Sequence, residues 1–570
     1  MDAPSRELFQ WWALAPEIAV AALALLVLVL ETTLPSRLRR HIAAVAPAGL
    51  AALIVALAPA LLDAAATAVS TATNTAVPAA AAPRLLFSGM LAQMGGLFTA
   101  TGPSTALARL FFLVAAFLTL LLAPRFLRRR GLPETEFAHL TLFATAALML
   151  LAQCNHFVSF YVALEAATIG LCVLAGYNRN SGATLEAGVK YLVTAGMSGA
   201  LLLFGVALLC GAAGNPVLND AAAAAGGFDA LDFGNLKTFV AAHSGHPLVL
   251  AGAALVVCGV AFKIGVFPFQ LWVPDVYQGA PTPAAAFFAT ASKGAGVLAL
   301  LLLASGPFAP LVSGTADIPA TVTATATTAD AVSAATGPLF ALLSLMTGAT
   351  LIFANLSALG QANTKRLMGL SGLSHAGFML LAVLAVLCGG GVFAVSALLF
   401  YMAAYLAGAF TLFGVIAEMP DGARGGADAD SAQTTADFQL LAERSPFLAW
   451  MLGVGAASLA GIPPTLGFAA KFLVLLAAFH AGLWWLAALA LLCAGAGVYY
   501  YLAWVREAFQ RVWLPHERHE ELSAPTHVPL APRLVLFALA AVLLAGGVAP
   551  CLTDFVAAPP KQNAAPPPQK

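Results

Sequence analysis

Five residues of this 570-residue chain place a titratable side chain inside long apolar runs: Glu165, Lys263, Lys293, His375 and Lys471. A lysine at the centre of a bilayer costs roughly 2.5 to 3.5 kcal/mol to insert, so the glutamate and the three lysines together cost about 10 kcal/mol before pairing or hydration. Snorkelling would relieve that cost if the amines reached the headgroups. At about 1.5 Å of rise per residue, Lys293 stands roughly 16 Å from either end of its run and Lys471 about 14 Å from His480, whereas a lysine side chain extends about 6 Å. Pairing can neutralise one of them, Lys263 with Glu165, but one mid-span acid does not serve three lysines. Structural pairing stays open for any one of them but is weak for all three, and the functional reading is a buried relay of protonatable groups. Burial and a neighbouring carboxylate act on a lysine in opposite directions, so such a group can be poised to gain and lose a proton as its partner shifts. His375, in "SGLSHAGFMLL" with Ser371 and Ser374 beside it, fits either a hydrogen-bonded packing residue or a further member of the relay.

The elements that position these groups must be membrane helices. The chain is 61% hydrophobic and 9% charged, against about 25% charged in a soluble domain, and its apolar runs of about 20 residues suit helices crossing a hydrocarbon core of ~30 Å. Strand-length alternation is absent, so a barrel is not expected. The pattern predicts an all-α polytopic membrane protein with about fourteen spans, beginning near Leu14, His41, Leu107, Ala138, Phe157, Ala187, Pro247, Thr282, Gly337, Arg366, Gly391, Pro446, Gly482 and Leu530. The first lacks a basic leader and a clear cleavage site and reads as a retained helix. With the N-terminus outside, seventeen Lys and Arg fall on the inner side, among them Arg128, Arg129, Arg130, Lys365 and Arg366, and six on the outer. That bias sets the orientation and places both termini outside. Zero net charge argues against nucleic acid as a partner. Seven scattered cysteines with no C-x-x-C argue against zinc, haem attachment and iron–sulfur clusters. No G-x-G-x-x-G follows a strand, so no nicotinamide site is expected in this chain.

Two of the lysines sit beside interruptions. In "AFKIGVFPFQLWVPDVYQGAPTP" Lys263 precedes Pro268, which removes an amide donor and frees a carbonyl one turn earlier. In "LAGIPPTLGFAAKF" Pro463, Pro464 and Gly467 precede Lys471. Paired broken helices at corresponding positions mark inverted repeats with an ion site between them, here spans 4–8 and 9–13 with spans 7 and 12 broken. The expected organisation is 1–136, three N-terminal helices with an outer loop; 137–305, the first repeat; 306–336, an outer low-complexity loop; 337–506, the second repeat; and 507–570, the last helix and a Pro-rich tail. The Ala/Thr-rich segments 63–82 and 313–335 read as solvated connectors. Around Lys293, the small residues Ala289, Ala291, Gly294 and Gly296 allow close packing or leave room for water. Asp275 caps or orders the inner end of span 7.

As a set, "LEAATIGLCVLAGY", "FKIGVFPFQLWVPDVYQGAPTP", "ATASKGAG", "NTKRLMGLSGLSHAGF" and "LAGIPPTLGFAAKF", in that order over Phe143 to Tyr501, resemble subunit N of bacterial NADH–quinone oxidoreductase, respiratory complex I. The resemblance implies a fourteen-helix antiporter-like subunit of the inner membrane. Such a subunit translocates protons while electrons pass from NADH to quinone elsewhere in the respiratory chain complex. It implies Glu165 as the fifth-helix glutamate, Lys263 as its seventh-helix partner, Lys293 as the central lysine and Lys471 as the lysine leading to the outer exit. It also implies that NADH, FMN, iron–sulfur clusters and quinone belong to partner subunits, namely other membrane subunits and a hydrophilic arm. Gln270 departs from the family, where a histidine is usual, and the outer loops at 63–106 and 305–336 are longer than usual. A subunit of a multisubunit cation/proton antiporter shares the lysines and broken helices and is the competing class, disfavoured by the "PDVYQGAPTP" form. A scaffold with no transport role is disfavoured by the cost of four buried charges.

Overall fold

The computed structural model describes residues 14–35, 42, 44–57, 103–219, 228–313, 337–419, 430, 433–509 and 528–548. The Ala/Thr-rich segments apart from Ser313, most of the two long outer loops, the Pro-rich tail, Cys551 and the basic residues Arg6, Arg37, Arg39, Arg40, Arg84, Arg424, Arg511, Arg518, Lys561 and Lys570 lie outside those residues or within their gaps.

Every regular element among the described residues is helical. The first six helices are α1 (Ala15–Thr33), α2 (Ala44–Leu57), α3 (Pro103–Arg129), α4 (Glu134–Leu151), α5 (Phe157–Ala175) and α6 (Gly182–Ala213). The broken span 7 is α7 (Pro247–Ile264) followed by α8 (Trp272–Gly279), and α9 (Thr282–Ser305) comes next. The second half holds α10 (Pro338–Leu359), α11 (Thr364–Leu387), α12 (Gly391–Glu418), the broken pair α13 (Pro446–Ala460) and α14 (Leu466–His480), then α15 (Trp484–Phe509) and α16 (Leu530–Val548). Among the described residues eleven helices are long and apolar enough to cross a membrane, and three shorter apolar ones, α2, α13 and α14, accompany them. The most enclosed are α9, α11 and α12, and α11 packs against α8, α9, α12 and α14. Three of the five candidate residues lie on or beside this inner group. By contrast, α1, α15 and α16 turn most of their apolar surface outward, as a lipid-facing or subunit-facing helix does.

Each break is built the same way. α7 ends at Gly265 with φ 81° and α13 at Gly461 with φ 83°, a left-handed closure that glycine adopts without a Cβ penalty. A cis X–Pro bond follows in each, Phe267–Pro268 and Pro463–Pro464. The repeat shows in a second place. An isolated bridge joins His156, before α5, to Asp232, upstream of α7, and another joins Asn363, before α11, to Thr434, upstream of α13. Spans 5 and 10 thus tie to the entries of spans 7 and 12 by the same device. In both, the bridging residue is the helix N-cap, its side chain accepting a backbone N–H, from Val158 or from Arg366.

Candidate proton-relay site

Lys263 sits in the last turn of α7 and is 5% exposed. Its Nζ donates to Thr168 Oγ1 on α5 and, at 3.1 Å, to Tyr191 Oη on α6. Glu165 lies one turn before Thr168 on the same helix. Among the described residues no ion pair within 4.0 Å joins it to Lys263, whose direct partners are the two hydroxyls. Glu165 packs against Gly199 of α6, where an added Cβ would come within 2.5 Å of its Oε1. The carbonyl of Phe262, which accepts the backbone N–H of Gly265 at 3.0 Å, also accepts the indole N–H of Trp272 at 3.1 Å, so protein closes this side of the break.

Lys293 is 1% exposed and begins the α-helical part of α9 directly after a π-helical turn, Phe288–Ser292. Such turns bulge the backbone and concentrate at functional positions; the apolar pattern gives no sign of this one. The glycines beside Lys293 serve close packing, since a Cβ on Gly294 would strike Phe111 and one on Gly296 would strike Ile264. Its Nζ has no hydrogen-bond partner among the described residues, nor has Tyr405 Oη on α12. Both face Gly372 of α11: a Cβ built there would stand 2.6 Å from Lys293 Nζ and 2.8 Å from Tyr405 Oη. The missing side chain leaves a notch in which both groups close on the α11 backbone with no Cβ between them.

Lys471 caps the break that precedes it. Its Nζ donates to Leu459 O and Ala460 O, each at 2.8 Å, so the carbonyls expected to be free there are held by the lysine itself. His375 lies in α11, 5% exposed, with Nδ1 2.8 Å from Tyr401 Oη and its ring 4.7 Å from that of Tyr405. His375, Tyr401, Tyr405, Ser458, Gly467 and Lys471 line one small cavity. The fold therefore brings His375 and Lys471 together and puts Tyr405 between them and Lys293. Glu165 and Lys263 form a separate group in the first repeat. All three lysines also face an aromatic ring, at 5.5 Å for Tyr191, 5.2 Å for Tyr277 and 5.5 Å for Phe378, within the ~6 Å reach of a cation–π contact. Such neutral partners offset burial without fixing the charge as a carboxylate would.

One end of the helix bundle carries a second, charged cluster. Asp275 of α8 takes Lys190 of α6 at 2.6 Å and Arg366 of α11 at 2.7 Å. Lys365 pairs with Asp430 at 2.8 Å, Thr282 Oγ1 donates to the same carboxylate at 2.6 Å, and Arg130 lies 3.9 Å from it. Burial alone would raise the Asp430 pKa, but Lys365 and Arg130, with the hydrogen bonds from Lys365 and Thr282, hold it below the ordinary value of 3.8. Toward the other end, Glu17 binds Arg109 at 2.7 Å with Gln153 beside them.

Comparison with known proteins gives this arrangement its family. A family model described as NADH:quinone oxidoreductase/Mrp antiporter, TM, matches residues 154–496. NADH-quinone oxidoreductase subunit N 1 of Opitutus terrae is 41% identical over 509 residues, 89% of this chain and 88% of the relative. Among solved structures, a chain of respiratory complex I from Thermus thermophilus superposes with a TM-score of 0.67 at 26% identity, covering 94% of this chain and 98% of that one. A chain of the Mrp complex from a Dietzia species superposes with 0.66 at 19% identity, covering 96% of each, a likeness of fold alone. The chain belongs to the NADH-quinone oxidoreductase subunit N family, within the wider NADH:quinone oxidoreductase/Mrp antiporter membrane family.

Proposed function

We propose that this chain is a proton-translocating membrane subunit of an NADH–quinone oxidoreductase complex and that Glu165, Lys263, Lys293, His375 and Lys471 carry the proton. The observation that supports the relay most is the set of three deeply buried lysines, none bound directly to a carboxylate among the described residues and each beside a neutral aromatic ring. A permanently paired lysine is a structural charge; one held by hydroxyls, carbonyls and ring faces can lose its proton without stranding a partner. The path runs from Glu165 through Thr168 to Lys263, and from Lys293 across the Gly372 notch to Tyr405, His375 and Lys471. The chain belongs to the oxidoreductase as a transport subunit and does no redox chemistry itself; nicotinamide, flavin, iron–sulfur clusters and quinone reside in partner subunits. We place it in the bacterial inner membrane with both termini outside, organised as segments 1–136, 137–305, 306–336, 337–506 and 507–570. The test is NADH-driven proton uptake into inverted vesicles, with the co-purifying subunits identified. Lys263→Met and Lys293→Met should each assemble and lose uptake. Uptake driven by a sodium gradient, in vesicles lacking the hydrophilic subunits, would favour the antiporter class instead.

A further inference from the structure

The half-helix α8 is eight residues long and hangs between the break at Gly265 and the end that carries Asp275. Its own hydrogen bonds do not hold so short a segment in place, so its position is set by what grips its two ends. At the break end, Trp272, its first residue, gives its indole N–H to Phe262 O, the carbonyl next to Lys263. The same indole packs edge-on to the Tyr191 ring at 5.1 Å, and Tyr191 Oη receives the Lys263 ammonium at 3.1 Å. Any shift of α8 therefore moves two of the groups that surround Lys263. From Asp275 in its first turn to Ala280 beyond its last, three of five side-chain grips come from the second repeat. Arg366 of α11 binds Asp275 at 2.7 Å and Gln278 at 2.9 Å, and its neighbour Lys365 donates to Ala280 O at 2.5 Å, on the carbonyl end of α8. From the first repeat, Lys190 binds Asp275 and Thr184 Oγ1 donates to Gly279 O at 2.7 Å. A cation on a helix C-terminus and a two-sided carboxylate pair are both charge-assisted contacts, stronger than neutral hydrogen bonds.

We infer that Arg366 and Lys365 of the second repeat are positioning residues for Lys263 of the first, acting through Asp275 and the half-helix α8 as a strap across the repeat boundary. The strap rests on the proposed proton relay, since it gives the two halves of that relay a mechanical link where no hydrogen bond between described residues joins Lys263 to Lys293. None of these residues needs to carry a proton. A change in the α11 side of the molecule, which holds His375 and faces Lys293 and Lys471, reaches Lys263 through Arg366, Asp275 and Trp272.

The experiment uses the whole purified complex, in vesicles, with two readouts: protons taken up per NADH oxidised, and backbone hydrogen exchange of peptides covering residues 262–273. Asp275→Asn and Arg366→Gln should each lower the ratio by at least about threefold and speed that exchange, and Arg366→Lys should restore most of both. Trp272→Phe, which removes the N–H but keeps a ring, should give a similar loss, and Asp275→Asn combined with Trp272→Phe should be no worse than the poorer single variant. Independent, multiplying losses would overturn the strap. So would an unchanged ratio and exchange in Asp275→Asn. If Asp275→Asn does not assemble, the contrast between Arg366→Gln and Arg366→Lys decides, and equal values for these two would overturn it. Lys263→Met separates the layers: normal uptake in that variant sinks the relay itself, whereas lost uptake there with normal strap variants sinks the strap alone.

Discussion

Replacing Gly372 by alanine adds one methyl group between Lys293 and Tyr405 and removes nothing polar. The new Cβ would lie 2.6 Å from Lys293 Nζ and 2.8 Å from Tyr405 Oη, so each group must retreat by about 1 Å to reach ordinary contact at 3.5 Å or more. Both clashing atoms end long side chains, which places the strain near the lower end of the roughly 1 to 3 kcal/mol seen for overpacking. Alanine also gains about 1 kcal/mol over glycine within a helix, and Gly372 is an interior residue of α11. The two effects nearly cancel, and the variant complex should assemble with close to normal stability. The notch, however, is filled, and the methyl group stands between the amine and the hydroxyl and pushes them apart. A rise of about 1.4 kcal/mol in the barrier for passing a proton between the separated groups slows transfer about tenfold. The measurement is proton uptake into inverted vesicles by quenching of a pH-sensitive dye, normalised to assembled complex, beside the thermal midpoint of the solubilised complex. Normal uptake at normal stability would refute transfer across Gly372; a stability loss above about 3 kcal/mol would refute the packing estimate.

Three further outcomes are expected. Lys293→Met should depress uptake at least as far as Lys293→Arg, because methionine carries no proton and arginine does not release one; methionine working as well as lysine would exclude Lys293 from the relay. Glu165→Ala should lower uptake several-fold while the complex assembles, since Lys263 keeps Thr168 and Tyr191 as its direct partners; failure to assemble would mean that the carboxylate carries more of the local structure than those contacts indicate. Asp430→Asn should destabilise the solubilised complex by up to about 3 kcal/mol near neutral pH by leaving the buried Lys365 ammonium without its countercharge. Because the folded Asp430 pKa lies below 3.8, its stabilising share is present above the unfolded value and fades as pH falls through the folded one, so the gap between wild type and variant should narrow only in strong acid. A gap that closes near pH 6 would point to another group.

The charges were legible because lipid makes them conspicuous. An ammonium in an apolar run costs enough to require a reason, and a proline beside it marks where the backbone must find new partners. Lys263, Lys293 and Lys471, the two interruptions and the repeat they imply all follow from that single contrast. Their partners do not. Thr168, Tyr191, Tyr401 and Tyr405 are neutral, sit in helices distant in sequence, and cost little to bury once hydrogen-bonded, so nothing in an apolar stretch distinguishes a hydroxyl that faces a lysine from one that bonds its own backbone, as Thr168 also does with Leu164 O at 2.7 Å. The π turn before Lys293 was hidden for a similar reason: no proline or glycine lies within Phe288–Ser292 to announce it.

The breaks were legible as equivalent sites, but the partners of their lysines were not. Both end in a left-handed glycine, yet different donors reach their last turns. At the first, Phe262 O takes the indole N–H of Trp272 beside the backbone N–H of Gly265, and Lys263 binds hydroxyls. At the second, Leu459 O and Ala460 O are taken by Lys471, which becomes part of the helix end. Hydroxyls rotate and both donate and accept, so Thr168 and Tyr191 can receive a proton's bond from either side. Backbone carbonyls only accept and are fixed by the helix. Transfer of the Lys471 proton therefore weakens two charge-assisted bonds at once and loosens the C-terminus of α13, whereas the same event at Lys263 leaves the backbone of α7 closed by Trp272. Within one pair of repeats, the same break gives the first lysine a rotatable environment suited to passing protons along, and ties the second lysine's proton to the conformation of the helix it caps.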